Sequence, residues 1–205
     1  MALSHTSVNV ITGAIGSGKT RLIGALLEQR PEGEHWAVLT NDFGTSTPAN
    51  LFCPTPEVDV REVAGCVCCS GQLVLRTALI SLVREKRPRR VLIEASAAAE
   101  PGALFELLAS PNLASALDVN SFIATVSVTQ LTDPRYAGLR LYREQLGSAD
   151  VIVLTAAPGT PTKARDAAHA ALGDIIAVGT RVVDDMRRVG LELLDLRHRS
   201  RITPG

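Results

Sequence analysis

Short apolar runs alternate along the chain with segments whose apolar residues recur every three to four positions. The strand-like runs lie at residues 8–12, 36–40, 58–63, 91–93, 121–128, 151–154 and 175–178. The helix-like segments lie at residues 21–27, 72–86, 102–109, 134–148 and 161–172. Strands that alternate with helices form a parallel sheet covered on both faces, so the pattern predicts an α/β fold in three layers.

The composition narrows the class of partner. The 205 residues are 46% hydrophobic, enough for one compact domain, which we place at residues 1–196, followed by a flexible polar tail at 197–205. The 21 basic and 21 acidic residues cancel, and aromatic residues make up only 3%. We therefore expect neither nucleic acid nor a membrane as partner. The N-terminal residues contain no apolar leader segment, so we expect the cytoplasm as the location.

A glycine-rich segment after the first predicted strand carries the most specific chemistry. It reads Gly13-Ala-Ile-Gly-Ser-Gly-Lys-Thr20 and fits the P-loop pattern, with a strand before it and a helix after it. In such a loop, backbone N–H groups and the lysine surround phosphates, and the last hydroxyl is a magnesium ligand. The expected nucleotide-binding residues are Gly13, Gly16, Ser17, Gly18, Lys19 and Thr20, with Thr20 also on Mg²⁺.

Three cysteines lie within four positions, at Cys66, Cys68 and Cys69. Thiolates suit zinc, and with harder co-ligands cobalt or nickel, and in an extended segment Cys66 and Cys68 share one face. Two or three thiolates leave a tetrahedral site incomplete, which suits a metal that is passed on, unless Asp42 or a distant histidine completes the site. A redox pair or buried inert thiols are the alternatives. The four histidines have no ligand spacing, so we treat them as structural or surface residues.

The order of these motifs resembles the CobW/UreG/HypB group of metal-chaperone P-loop GTPases, and its CobW-like branch in particular. That branch carries a P-loop, Asn-Glu-Phe-Gly, Gly-Cys-x-Cys-Cys and an apolar strand that ends in Ile-Glu-Thr. The corresponding segments here are residues 13–20, Asn41-Asp-Phe-Gly44, Gly65-Cys-Val-Cys-Cys69 and Leu92-Ile-Glu-Ala95. The resemblance extends from residue 8 to residue 154.

The resemblance implies a Rossmann-like G domain that binds GTP or ATP with Mg²⁺ and handles Zn²⁺, Co²⁺ or Ni²⁺ for a client metalloprotein. Lys19, Glu94 and Asp42 are the implied catalytic candidates, the two acids through magnesium or water positioning. The N–H of Ala97, which stands at the position of the family's switch glycine, is implied to meet the γ-phosphate. The sequence leaves the oligomeric state open and allows a homodimer.

Some positions depart from the family pattern. The guanine-recognition motif Asn-Lys-x-Asp corresponds here to Thr155-Ala-Ala-Pro158, so base selection loses its usual carboxylate. Alanine replaces glycine at position 97, which restricts the backbone near the γ-phosphate. Because the chain stops soon after Leu193-Leu-Asp-Leu196, we expect it to lack the family's C-terminal domain.

Three functions fit these observations. The first is a metallochaperone-like P-loop NTPase with slow hydrolysis and doubtful base specificity. The second is a nucleotide- and metal-binding scaffold or sensor that does not hydrolyse its nucleotide. The third, ranked last because no lid for an acceptor substrate is evident, is a P-loop kinase.

Overall fold

The computed structural model describes residues 5–40, 55–63 and 71–198. The strands are β1 (Thr6–Thr12), β2 (Trp36–Thr40), β3 (Val58–Glu62), β4 (Arg90–Glu94), β5 (Leu117–Ser127), β6 (Val151–Thr155) and β7 (Arg181–Val183). The first helices are α1 (Lys19–Glu28), α2 (Gly71–Lys86), α3 (Pro101–Leu108), α4 (Pro111–Ala114) and α5 (Val128–Leu131). They are followed by α6 (Pro134–Ala137), α7 (Arg140–Gly147), α8 (Thr162–Gly173), a 3₁₀ turn (Met186–Arg188) and α9 (Leu191–Leu194).

The seven described strands form one sheet in the order β3-β2-β4-β1-β5-β6-β7, and each neighbouring pair is parallel. Strand β1 lies in the middle, between β4 and β5. The predicted parallel α/β fold is confirmed. Because parallel strands end at a common edge, the carboxyl ends of these strands lie together there, which is where such sheets bind ligands.

Strand β4 shows how the sheet buries both of its faces. Val91 and Ile93 pack in a cluster with leucines of α2 and α3, whereas Leu92 packs in a second cluster with leucines of α1. Successive strand residues point to opposite faces, so the two clusters lie on opposite sides of the sheet. The predicted three layers are therefore present, with helices on both faces.

The last predicted strand, at residues 175–178, is wrong. The amides of Ile175 and Ile176 both donate to the carbonyl oxygen of Leu172, at 2.9 Å each, and thus close the end of α8. Val178 is 98% exposed. The strand at this edge is β7, which begins three residues later and pairs with β6.

The helix predicted at residues 134–148 is two helices. Helix α6 ends at a C-cap on Gly138, and Leu139 is extended as the N-cap of α7. Glycine is a poor interior helix residue, which favours the break at this point. The rings of Tyr136 and Tyr142 pack across the break with centroids 5.4 Å apart.

The described fold extends into the segment that the sequence analysis assigned to the tail. The ring of His198 stacks on Phe122 with centroids 4.0 Å apart, and its Nδ1 lies 2.7 Å from Asp150 Oδ2. The His198 side chain is 5% exposed, so this histidine is structural. Within the described ranges, no helix is both long and apolar enough to cross a membrane.

Candidate functional site

The P-loop joins the carboxyl end of β1 to the first turn of α1, as the sequence predicts. Gly13, Gly16 and Gly18 have φ angles of 137°, 75° and 107°, in the region that favours glycine. A Cβ on Gly13 would lie 2.3 Å from the carbonyl oxygen of Thr125. The loop therefore requires glycine at its start for space as well as for backbone conformation.

Lys19 lies inside this loop. Lys19 is only 4% exposed. Its Nζ donates to the carbonyl oxygens of Gly13 at 3.1 Å and Ala14 at 3.4 Å. These contacts hold the ammonium group over the concave backbone of the loop. A positive charge in that position, at the amino end of α1, suits the binding of an anion.

Side chains from neighbouring elements support the loop, and the sequence analysis missed them. Ser17 Oγ lies 2.6 Å from Thr125 Oγ1, and Thr155 Oγ1 donates to the Ser17 carbonyl oxygen at 3.1 Å. Gln130 Nε2 donates to the carbonyl oxygen of Ile15 at 2.9 Å. Thr125 and Thr155 lie near the carboxyl ends of β5 and β6, where such sheets bind ligands. That position is the sequence signal that could have marked them as supporting residues.

Thr20 and Glu94, two predicted site residues, are in direct contact. The hydroxyl of Thr20 donates to Glu94 Oε1 at 2.5 Å, and Glu94 is fully buried. Glu94 ends β4 and pairs in register with Ile11 of β1, which brings it beside the start of the P-loop. A hydroxyl and a carboxylate are hard oxygen ligands, the type that Mg²⁺ prefers.

Ala97 lies in a turn after β4, which the side chain of Gln145 holds from α7. Gln145 Nε2 donates to the carbonyl oxygens of Ala97 and Ala99, at 3.0 Å each, and Gln145 is 1% exposed. Ser96 closes the turn, because its Oγ accepts from Ala98 N and its carbonyl oxygen accepts from Ala99 N. No motif marked Gln145 in the sequence.

A cavity of about 850 Å³ opens beside α1. Its walls include Arg21 of α1, residues 154–158 at the end of β6 and just beyond it, Arg165 of α8 and residues 184–188 after β7. The size is typical of small-molecule sites. The segment that replaces the guanine-recognition motif, residues 155–158, thus lines the cavity next to the P-loop.

Three carboxylates line this cavity, and none of them was predicted as a site residue: Glu28 of α1, Asp184 and Asp185. Asp185 accepts from the backbone N–H and the guanidinium of Arg187, and the side-chain hydrogen bond foremost lowers the pKa of Asp185 below its ordinary value. Asp184 Oδ1 lies 2.7 Å from His169 Nε2. The carboxylate of Asp185 is therefore engaged by Arg187 within its own turn, whereas His169 of α8 orients the carboxylate of Asp184.

The remaining predicted site residues, Asp42, Cys66, Cys68 and Cys69, lie outside the described residues. The described strands that precede these segments, β2 and β3, end in register with β4: Thr40 pairs with both Glu62 and Glu94. Among the residues that the structure does describe, no group of three or more His, Cys, Asp or Glu side chains is arranged to hold a metal.

The sequence profile of the CobW/HypB/UreG nucleotide-binding domain matches residues 7–175. The chain belongs to the CobW/HypB/UreG family. It is 32% identical over 163 residues to the zinc chaperone YeiR of Escherichia coli (strain K12), covering 79% of this chain and 50% of YeiR. It is 25% identical over 217 residues to the zinc chaperone CobW of Pseudomonas aeruginosa, covering 90% of this chain and 58% of that protein. The chain thus spans about half the length of these curated relatives.

Solved structures of the family share the fold. The Zn(II)-bound YjiA GTPase from Escherichia coli superposes with a TM-score of 0.62 at 20% identity, over 93% of this chain and 61% of that chain. The hydrogenase maturation factor HypB from Archaeoglobus fulgidus gives a TM-score of 0.54 at 18% identity, over 89% of this chain and 81% of that chain. At these identities the structures support the Rossmann-like P-loop fold alone. The profile match over residues 7–175 confirms the predicted family resemblance.

Proposed function

We propose that the chain is a nucleotide-dependent metal-handling P-loop NTPase of the metallochaperone type. It binds a nucleoside triphosphate with Mg²⁺ at residues 13–20, and carries a transition metal, foremost zinc, on Cys66, Cys68 and Cys69 for a client metalloprotein. The observation that carries the proposal is a buried lysine inside a P-loop whose Thr20 contacts Glu94. Relatives described as zinc chaperones support the metal assignment.

The proposed phosphate and Mg²⁺ contacts rest on the geometry of the P-loop. Loop N–H groups and Lys19 would bind the β- and γ-phosphates, and Thr20 would bind Mg²⁺ with Glu94 holding its hydroxyl in place. Bound Mg²⁺ would neutralise phosphate charge. Glu94 and Asp42 are the candidates for orienting the attacking water, and Ala97 N–H is the candidate for sensing the γ-phosphate.

The proposed position of the metal rests on the short connection between β3 and the cysteines. The amide of Val63 donates to the Thr40 carbonyl oxygen at 2.8 Å, at the end where β4 presents Glu94. Cys66 follows Val63 by three residues, and three residues of chain span at most about 11 Å. We therefore propose that a metal on the cysteines lies at the edge of the sheet where β4 also ends, so that one ligand could alter the ordering of the other.

Metal and nucleotide affinities are expected to depend on each other. Triphosphate with Mg²⁺ should change zinc affinity about tenfold or more, and zinc should change triphosphate affinity by the same factor, because coupling is reciprocal. Titration calorimetry on the wild type and on the double variant Cys66→Ser/Cys68→Ser tests this. The double variant should lose zinc binding and the coupling while it retains the nucleotide.

Cys53→Ser is the matched control, because Cys53 lies outside the cysteine cluster and should leave both affinities unchanged. Zinc binding by the double variant at wild-type affinity would refute the assignment of the cysteines. Equal zinc affinity with and without triphosphate would leave two binding sites and refute the nucleotide-dependent carrier.

A scaffold or sensor that does not hydrolyse its nucleotide is the second candidate function. Ala97 at the switch position and Thr155-Ala-Ala-Pro158 in place of the base motif favour it. Sustained release of phosphate by the wild type, lost in a Lys19→Ala variant, would support the NTPase instead. Binding of triphosphate without release would support the scaffold.

Discrimination between guanine and adenine is expected to be weak. A site built to hydrogen-bond its substrate rejects analogues by about 10⁴-fold or more, but residues 155–158 supply no carboxylate to the cavity. We expect GDP and ADP affinities within about tenfold of each other by calorimetry. A strong preference for GDP that disappears in Asp184→Ala would show instead that Asp184 recognises the base.

A further inference from the structure

One buried amide, that of Gln145, controls the conformation of the turn at residues 96–99. Its Nε2 carries two hydrogens, and the carbonyl oxygens of Ala97 and Ala99 each lie 3.0 Å from it. Both donor positions of the side-chain nitrogen are thus directed at one turn. Gln145 is 1% exposed, so water does not compete for these hydrogen bonds.

One N–H of the turn that Gln145 holds, that of Ala97, takes no part in these hydrogen bonds. The carbonyl oxygen of Ala97 is fixed by Gln145, and the Ser96 carbonyl oxygen and hydroxyl accept from Ala99 N and Ala98 N. Within the part of the chain that the structure describes, Ala97 N–H has no hydrogen-bond acceptor. Ala97 is partly exposed, so a ligand can approach the turn at this residue.

The turn is also tied to the nucleotide site through β4. The amide of Ala95, one residue beyond Glu94, donates to the Ile11 carbonyl oxygen of β1 at 2.9 Å. One end of the turn is therefore anchored beside the P-loop strand, and the other is anchored by α7 through Gln145.

We propose that Gln145 is a positioning residue for the γ-phosphate: its amide holds the turn at residues 96–99 so that Ala97 N–H meets a triphosphate but not a diphosphate. This inference rests on the proposed nucleotide binding and adds the residue that makes the site distinguish its two nucleotide states. Alanine at position 97 restricts the turn more than glycine would, and an external anchor compensates for that by fixing the conformation in advance.

The test compares the affinity for a non-hydrolysable GTP analogue with that for GDP, both with Mg²⁺, by calorimetry. Gln145→Met keeps the length of the side chain without its donors, and Gln145→Glu places carboxylate oxygens against two carbonyl oxygens. Each variant should lower the ratio of triphosphate to diphosphate affinity about tenfold, as the loss of one to two hydrogen bonds implies, while GDP affinity stays unchanged. Gln29→Met is the matched control, because Gln29 Nε2 also donates to two carbonyl oxygens, those of Ala25 and Val189.

A wild-type ratio in both folded variants would overturn the inference and leave the proposed function standing, whereas failure of the wild type to bind either nucleotide would overturn the proposed function itself. A second measurement does not need the variants to fold. In the wild type, hydrogen exchange of the amide of Ala97 should slow with the triphosphate analogue and not with GDP. Equal exchange with both nucleotides would overturn the positioning role.

Discussion

Replacement of Lys19 by alanine is expected to weaken binding of a triphosphate with Mg²⁺ by at least about a hundredfold. The Lys19 ammonium group is held over the loop by the carbonyl oxygens of Gly13 and Ala14, where it would bind phosphate oxygens. Hydrogen bonds to charged groups contribute about 1.5–3 kcal/mol each, and two of them account for the expected loss. Calorimetry with a non-hydrolysable GTP or ATP analogue measures it.

The fold should survive this change, since alanine removes side-chain atoms and introduces no overlap. Lys163→Ala on α8 is a suitable control, because Lys163 is exposed and lines no part of the site. If Lys19→Ala bound the triphosphate within about threefold of the wild type while Lys163→Ala did the same, residues 13–20 would not be the phosphate site.

The part of the site that lies within one short segment could be predicted from the sequence. The order of strand, glycine loop and helix is encoded locally, because glycines adopt φ angles that other residues avoid and the flanking apolar patterns differ in period. Glu94 was predictable for a related reason, since it is the first acid after a short buried strand. The structure places it in contact with Thr20.

The errors in the fold come from segments in which tertiary contacts decide between similar local patterns. Residues 175–178 are as apolar as a strand, yet their amides close α8 at Leu172. Strand β7 has only three residues, and none of them is buried, so no clear alternation marks it. Its pairing with β6 is what makes it a strand.

The supporting side chains could not be found from sequence alone. Gln145 is 48 positions from Ala97, and Gln130 is 115 positions from Ile15. Gln145 has no motif around it, and the Ser-x-x-Gln pattern that ends at Gln130 predicts only its capping box with Ser127. The supporting role of each glutamine depends on which backbone atoms the fold brings within reach. Only the folded arrangement distinguishes them from surface glutamines such as Gln29.

Replacement of Gly13 by alanine is expected to destabilise the domain by about 4 kcal/mol, through strain in the backbone and overlap in the core. The φ angle of Gly13 is 137°, and the added Cβ would lie 2.3 Å from the Thr125 carbonyl oxygen and 2.8 Å from Ser17 Oγ. The obstructing oxygen belongs to the backbone of β5, which is paired on both sides with β1 and β6 and cannot move aside as a side-chain end could. For a domain of this size, the melting temperature should fall by about 8–16 °C.

Gly16→Ala separates the two causes, because Gly16 also has a positive φ angle, 75°, but a Cβ there would have no atom within 4 Å. It should lose only the backbone contribution, about 1 kcal/mol, which lowers the melting temperature by about 2–4 °C. Thermal unfolding followed by circular dichroism measures both variants. Equal losses in the two would mean that the overlap with Thr125 is relieved at little cost, and that the P-loop is less tightly packed against β5 than the 2.6 Å contact between Ser17 and Thr125 indicates. A much larger loss at Gly13 would show that the phosphate loop is part of the packed core, so that its shape is set by folding before any nucleotide binds.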